Sequence, residues 1–325
     1  MFSTLIVPLD GSELAERAVP YAMRVAQASH ARLVLMQAVH APPTASMEGA
    51  NWEHAQLDSI AEARAYLTRI ADSLSAQVDS VSTAVLYGRP TDQILEAIEA
   101  FQADGVVMTT HGRTGLDHLL HGSVTEGLLA RSHLPVFVVY TRPGQAPAIP
   151  FSPERARLLV PQNATEFDAA ALQAAVAMLG PDGEIVLETV VKPPEHVAMD
   201  ETGRHVLAYL DQQEETRTRE AREYLAGVAE PLRHGPTPIS IKIDVRIGEP
   251  ASGIVMAALD TQADLIVMAT HGRTGVQRAV MGSVAGDVLR TACTPVVLLR
   301  PTIAPPPDEG FREPVAEELG PVPTF

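Results

Sequence analysis

The chain has 325 residues, a net charge of −16 and 46% hydrophobic residues. That length suits about two domains, and the negative charge argues against nucleic acid or an anionic membrane as the main partner. A single cysteine, Cys293, excludes an internal disulfide and a cysteine zinc site. No apolar run approaches the roughly 20 residues of a membrane span. With no signal-peptide pattern ahead of the strand-like Thr4–Leu9, the expected compartment is the cytoplasm.

In chain order, Thr4–Leu9 reads as a buried first strand. Asp10-Gly11-Ser12 turns into a helix, with Ser12 as its N-cap. Leu14, Ala18, Ala22, Val25 and Ala26 share one face, and Pro20 kinks or breaks that helix. Arg32–Val39 is the second strand, and Ala41–Asn51 a Pro- and Gly-containing loop. Leu57–Leu74 is a long helix. Val81–Leu86 is the third strand and stops at Gly88-Arg89-Pro90. Thr91–Phe101 is a helix, Asp104–Thr109 the fourth strand, Gly122–Arg131 a helix opened by the capping box Ser123–Glu126, and Pro135–Tyr140 the fifth strand. Strands alternating with helices predict an open parallel sheet covered on both faces.

The pattern then restarts. Leu158–Pro161, Glu184–Val191, His205–Val228, Ile239–Ile247 and Pro295–Leu299 repeat the first strand, second strand, long helix, third strand and fifth strand. Gly248-Glu249-Pro250 repeats Gly88-Arg89-Pro90. We therefore expect a first α/β domain over 1–141, a Pro-rich linker over 142–154, a second domain over 155–300 and a flexible acidic tail over 301–325.

The strongest repeat is TTHGRTGLDHLLHGSV at Thr109–Val124 against ATHGRTGVQRAVMGSV at Ala269–Val284, with nine of sixteen positions identical. Each copy runs from a short apolar strand through glycines into a helix. Free N–H groups and the positive helix end at such a junction bind anions, so the loop reads as a phosphate site. Ligands of open α/β sheets lie beyond the carboxyl ends of the strands, where the strand order reverses. If the first and fourth strands are neighbours, Asp10 faces this loop. A carboxylate there accepts hydrogen bonds from a ribose or base while the loop takes phosphates, so a nucleotide satisfies both. Walker A and Gly-x-Gly-x-x-Gly patterns are absent.

These residues resemble the universal stress protein family in its tandem form. The family's ATP-binding members carry Gly-x2-Gly-x9-Gly-Ser/Thr. Gly112, Gly122 and Ser123 match it, as do Gly272, Gly282 and Ser283, while Thr109 and Ala269 replace the leading glycine. Val7-Pro8-Leu9-Asp10 matches the family's opening. The resemblance implies sheets of five strands in the order 3-2-1-4-5, paired through their fifth strands within the chain, with a homodimer as further assembly. It also implies ATP as cofactor, with Mg²⁺ held through the phosphates. Carried over residue by residue, the nucleotide contacts fall on Pro8, Asp10, Ala38, Met108, Thr109, Gly112, Arg113, Gly122, Ser123 and Val124. In the second copy they fall on Asn163, Thr189, Ala269, Gly272, Gly282, Ser283 and Val284. Asn163 stands at the aspartate position without its charge, so the first site is the expected one.

Other features read more simply. His111 and His271 either polarise a phosphate or pack within their loops, with packing the favoured reading. His118, His121 and His133 are solvated, because Arg278 and Met281 answer the first two in the second copy. Arg113 and Arg273 either clamp phosphates or face solvent. The expected function is an ATP-binding stress-response regulator acting on a protein partner that the sequence does not identify. The alternatives are a docking module with decayed loops, or an adenylating or nucleotide-hydrolysing enzyme. No nucleophile–base pair or metal triad lies near the loops, so any hydrolysis is expected to be slow.

Overall fold

The computed structural model describes residues 2–39, 50–109, 123–139, 155–165, 167–193, 204–270 and 282–300. In the first half the elements are β1 (Thr4–Pro8), α1 (Glu13–Glu16), α2 (Val19–Ser29), β2 (Arg32–Val39), α3 (Ala50–Leu74), β3 (Val81–Tyr87), α4 (Pro90–Ala100), β4 (Gly105–Thr109), α5 (Ser123–Arg131) and β5 (Val136–Val139). In the second they are β6 (Arg157–Pro161), α6 (Asp168–Met178), β7 (Glu184–Val191), α7 (Arg204–Arg233), β8 (Ser240–Ile247), α8 (Pro250–Asp260), β9 (Leu265–Ala269), α9 (Ser283–Thr291) and β10 (Val296–Leu299).

The ten strands form one sheet in the order β3-β2-β1-β4-β5-β10-β9-β6-β7-β8. Each half is parallel in the expected order 3-2-1-4-5. The two five-stranded sheets meet through their fifth strands, as the resemblance implied. β5 and β10 pair antiparallel, Phe137 opposite Val297, and fuse the halves edge to edge. Only β3 and β8 are left as outer edges. Pairing the two fifth strands removes two exposed edges that would otherwise template aggregation.

Because side chains alternate along a strand, the sheet supplies two cores. Leu5, Val7, Leu33, Leu35 and Val107 face α2 and α3, and their second-half counterparts face α6 and α7. Ile6, Val34, Met36, Val106 and Met108 face α4 and α5, and Leu159, Val186 and Met268 continue that layer under α8 and α9. Near-continuous apolar strands such as β1 and β4 are what burial on both faces requires.

Local chemistry sets most helix ends. Ser12 caps α1 through its hydroxyl, which accepts from the Ala15 N–H at 3.1 Å. The chain breaks at Arg17–Ala18, and Pro20 sits in the first turn of α2, where its missing N–H costs nothing. The second half lacks that proline, and α6 runs unbroken. Pro90 and Pro250 open α4 and α8 after Gly88 (φ +151°) and Gly248 (φ +143°). Each glycine N–H returns to the end of the second strand of its half, on Val39 O and Val191 O.

Two long helices exceed their sequence-based bounds. α3 begins at Ala50, inside the expected loop, and α7 ends at Arg233 rather than Val228. α7 runs past Val228 through Pro231, with Ala229 and Leu232 still packed on the core.

Candidate functional site

The register places the expected base-side residues of the first half together. Pro8 pairs with Met36, and Ala38 lies one rung further along the same face. β1 lies beside β4 with Ile6 opposite Val106, which brings Met108 level with Pro8. Met108 is buried and touches the Thr125 Oγ1 through its sulfur at 3.9 Å. Pro8, Ala38 and Met108 thus form an apolar floor at the carboxyl edge of the sheet, between β2 and β4. Thr109 is buried and points to the opposite face. Val124 packs on the α4–α5 core at the start of α5. Gly112, Arg113 and Gly122 lie outside the described residues, as do the side chain of Ser123, His111, His118 and His121; His133 is exposed.

Asp10 stands just past this floor. Its Oδ1 accepts from the Ser12 N–H at 3.0 Å and the Ser12 hydroxyl at 2.6 Å. Gly11 takes φ +83° between them, which suits glycine. This Asx-type turn fixes the carboxylate on the crevice between β1 and β4. The acid beside an apolar floor suits a purine nucleoside, whose flat ring buries and whose hydroxyls donate to a carboxylate.

The second half solves the same turn differently. Asn163 is exposed, and its backbone N–H donates to the Asp168 Oδ2 at 2.7 Å. The Thr165 N–H adds 2.9 Å to that oxygen, and the Thr165 hydroxyl donates to Oδ1 at 2.7 Å. Asp168, at the start of α6, thus replaces Asp10 as the acid that organises the loop. It is buried and committed inward. Ala164 holds φ +55°, the place of Gly11, at the cost a Cβ imposes there.

One expected contact is corrected. Pro161 pairs with Glu188 as Pro8 pairs with Met36, so the counterpart of Ala38 is Val190 and not Thr189. Thr189 matches Gln37 on the other face. The reading from sequence aligned strand ends; the ladder shows β7 offset from β2 by one residue less than β6 is from β1. Most of the length gained by the second half lies between β7 and α7, and the rest between α7 and β8. At Val190 the helix gives way. Gly253 of α8 lies so close that a Cβ would come within 2.5 Å of the valine, whereas α4 carries Gln93 at the matching position. Ala269 is half-buried, Gly282 caps α9, Ser283 is exposed and Val284 packs on the core. Gly272, His271 and Arg273 lie outside the described residues.

Three functional candidates escaped the sequence reading. Tyr66 of α3 lies beside Glu16 and Asp10, and burial, then the Glu16 carboxylate, pushes its phenol pKa up. Tyr224 of α7 occupies the matching place, near Asp168 and the Ala164 backbone. The signal was present as Glu62-Ala63-Arg64-Ala65-Tyr66-Leu67 against Glu220-Ala221-Arg222-Glu223-Tyr224-Leu225. In both halves a helix tyrosine therefore lies near the loop that follows the half's first strand. The third is Glu188, a buried acid on β7 that carried no motif.

The model of the universal stress protein family matches residues 1–140 and again 154–300. The chain belongs to the universal stress protein family. Among family members, it is 30% identical over 141 residues to a universal stress protein of Methanocaldococcus jannaschii, covering 43% of this chain and 82% of that one. It is 27% identical over 239 residues to one of Mycobacterium tuberculosis, covering 68% of this chain and 69% of the relative. The crystal structure of a universal stress protein from Archaeoglobus fulgidus aligns with 91% of this chain and 98% of its own, at a TM-score of 0.64 and 18% identity. That likeness shows a shared fold across both halves. Among the described residues no helix is long and apolar enough to cross a membrane, and no cluster of His, Cys, Asp and Glu is arranged to hold a metal.

Proposed function

We propose that this universal stress protein is an ATP-binding regulator whose working site lies in the first half. The observation that carries the reading is the contrast between the two loops. Asp10 stands at the crevice edge beside Pro8, Ala38 and Met108, whereas in the second half Asn163 holds that position and Asp168, buried, spends both oxygens on its own loop. Gly112, Gly122, Ser123 and Val124 supply the phosphate side, with Arg113 near the phosphates, and Mg²⁺ is held through the phosphates. The second half, with Asn163, Val190, Ala269, Gly272, Gly282, Ser283 and Val284, carries an uncharged amide where the first carries Asp10. A hydrogen bond to a charged group is worth about 1.5–3 kcal/mol against about 1 for a neutral one, enough to separate the sites roughly tenfold.

The protein acts by binding rather than turnover, changing shape or partner with nucleotide occupancy. Hydrolysis of Mg-ATP stays below about one turnover per second, the low end for enzymes. Steady release of phosphate at tens per second from purified protein would overturn that. The binding reading is tested by the nucleotide content of freshly purified protein and by Gly122→Val. The valine side chain fills the phosphate path and is expected to abolish ATP binding while the circular dichroism spectrum stays unchanged. Undiminished binding in this variant removes the loop from the site. Failure of wild type to bind at all supports the docking-module reading instead.

A further inference from the structure

Glu188 sits in the middle of β7, facing α8, with no exposed surface. Among the described residues neither of its carboxyl oxygens has a hydrogen-bond partner. A buried acid left so is costly when charged, because no dipole replaces its water. Its surroundings deepen the cost. Asp244 lies directly opposite on β8. Arg246, two residues further on β8, donates to Asp244 at 2.6 Å and to Asp260 of α8 at 2.8 Å. One guanidinium already serves two carboxylates, and a third has no counter-charge. Lys242, on the same strand, is held by Glu184 at 3.0 Å. From β6 the neighbour is Pro161, and above lie Ile254, Ala257 and Ala258 of α8, which are apolar. The first half has none of this. The same register there places Met36 opposite Ala84, with Leu86 following, under α4.

We propose that Glu188 is a proton-operated latch: neutral, it lets α8 close on β7 and β8, and ionised beside Asp244 it drives α8 off the sheet. Burial, then the Asp244 charge, raises the Glu188 pKa to about 8, with Arg246 opposing. Folding therefore takes up a proton at this site at pH values between the ordinary carboxyl range and about 8. The stability of the closed arrangement is whole at acid pH and is lost as pH rises through about 8. The latch makes the second half, and not the first, responsive to alkaline conditions. It operates whether or not either half holds a nucleotide. α8 is suited to such a role. Its outer face carries Met256 and Leu259, half exposed, where α4 carries Glu96 and Glu99.

Hydrogen–deuterium exchange of the full chain tests this, because α4 is an internal control in the same molecule. Protection of α8 and β7, divided by that of α4 and β2 after correction for intrinsic rates, is measured from pH 6.5 to 9.5. The ratio is expected to fall at least tenfold in wild type and to stay level in Glu188→Gln. Glu188→Met, which installs the first-half residue, gives a second variant should the glutamine fold poorly, and is also expected to stay level. A level ratio in wild type, or an equal fall in wild type and both variants, overturns the proposal.

Discussion

Asp10 and Asp168 show how one side chain decides what a loop does. Both close the turn after the first strand of their half, but Asp168 comes from the start of the following helix, and Asn163 stands where Asp10 does in the first half. Asp10→Ala is expected to lower Mg-ATP affinity at least tenfold by calorimetry. An unchanged affinity would remove the acid from the site. Ala164 pays for a left-handed backbone that glycine adopts freely. Ala164→Gly is therefore expected to stabilise the protein by about 1 kcal/mol in denaturant titration, and Gly11→Ala to destabilise it by a similar amount. Opposite signs would show the two turns to be unlike. Asp10 was legible because a strand, an Asp-Gly-Ser turn and a distant glycine loop form a pattern together. Asp168 and Glu188 were not. A buried acid has no motif, and its meaning depends on which residues cross-strand register sets opposite it.

At the scale of elements, α4 and α8 occupy matching places with opposite compositions. α4 is amphipathic, and α8 is nearly apolar throughout. Gly253 and Val190 stand where the first half has Gln93 and Ala38, a small and a large residue exchanged. Gly253→Ala is expected to cost about 1–3 kcal/mol, because the new methyl meets Val190 and the layer is close-packed. The double change with Val190→Ala should recover most of it. A single change without effect would mean the helix shifts freely. Tyr66 places a buried phenol of α3 near the Asp10 loop. Tyr66→Phe is expected to preserve the melting temperature and weaken Mg-ATP a few-fold, about 1 kcal/mol. An unchanged affinity, or a loss matched by falling stability, would leave the tyrosine as packing alone. Strand and helix identities were readable from period and punctuation. The extra turn of α7 was not, because Pro231 reads as a helix end although Ala229 and Leu232 still pack on the core.

The whole molecule is organised by its central seam. β10 hydrogen-bonds β9 on one side and β5 on the other, and Phe137 at the seam stacks edge-to-face on Phe2 with centroids 5.5 Å apart. Arg300, just past β10, donates to the Ala130 carbonyl near the end of α5 in the other half. Apolar layers run across both halves on each face of the sheet. This fusion predicts a single calorimetric unfolding transition. Two resolved transitions would mean that the halves are separate folding units. The repeat and the likeness to the family announced the seam; the sequence contained no pattern of its own that said the two sheets become one.

The central claim is that one half binds nucleotide and the other does not. Isothermal titration of nucleotide-free protein with Mg-ATP tests it most directly, run for wild type, Asp10→Ala and Asn163→Ala. The account predicts a stoichiometry near one, lost with Asp10→Ala and kept with Asn163→Ala. A stoichiometry near two, or a single site that survives Asp10→Ala and vanishes with Asn163→Ala, would contradict it.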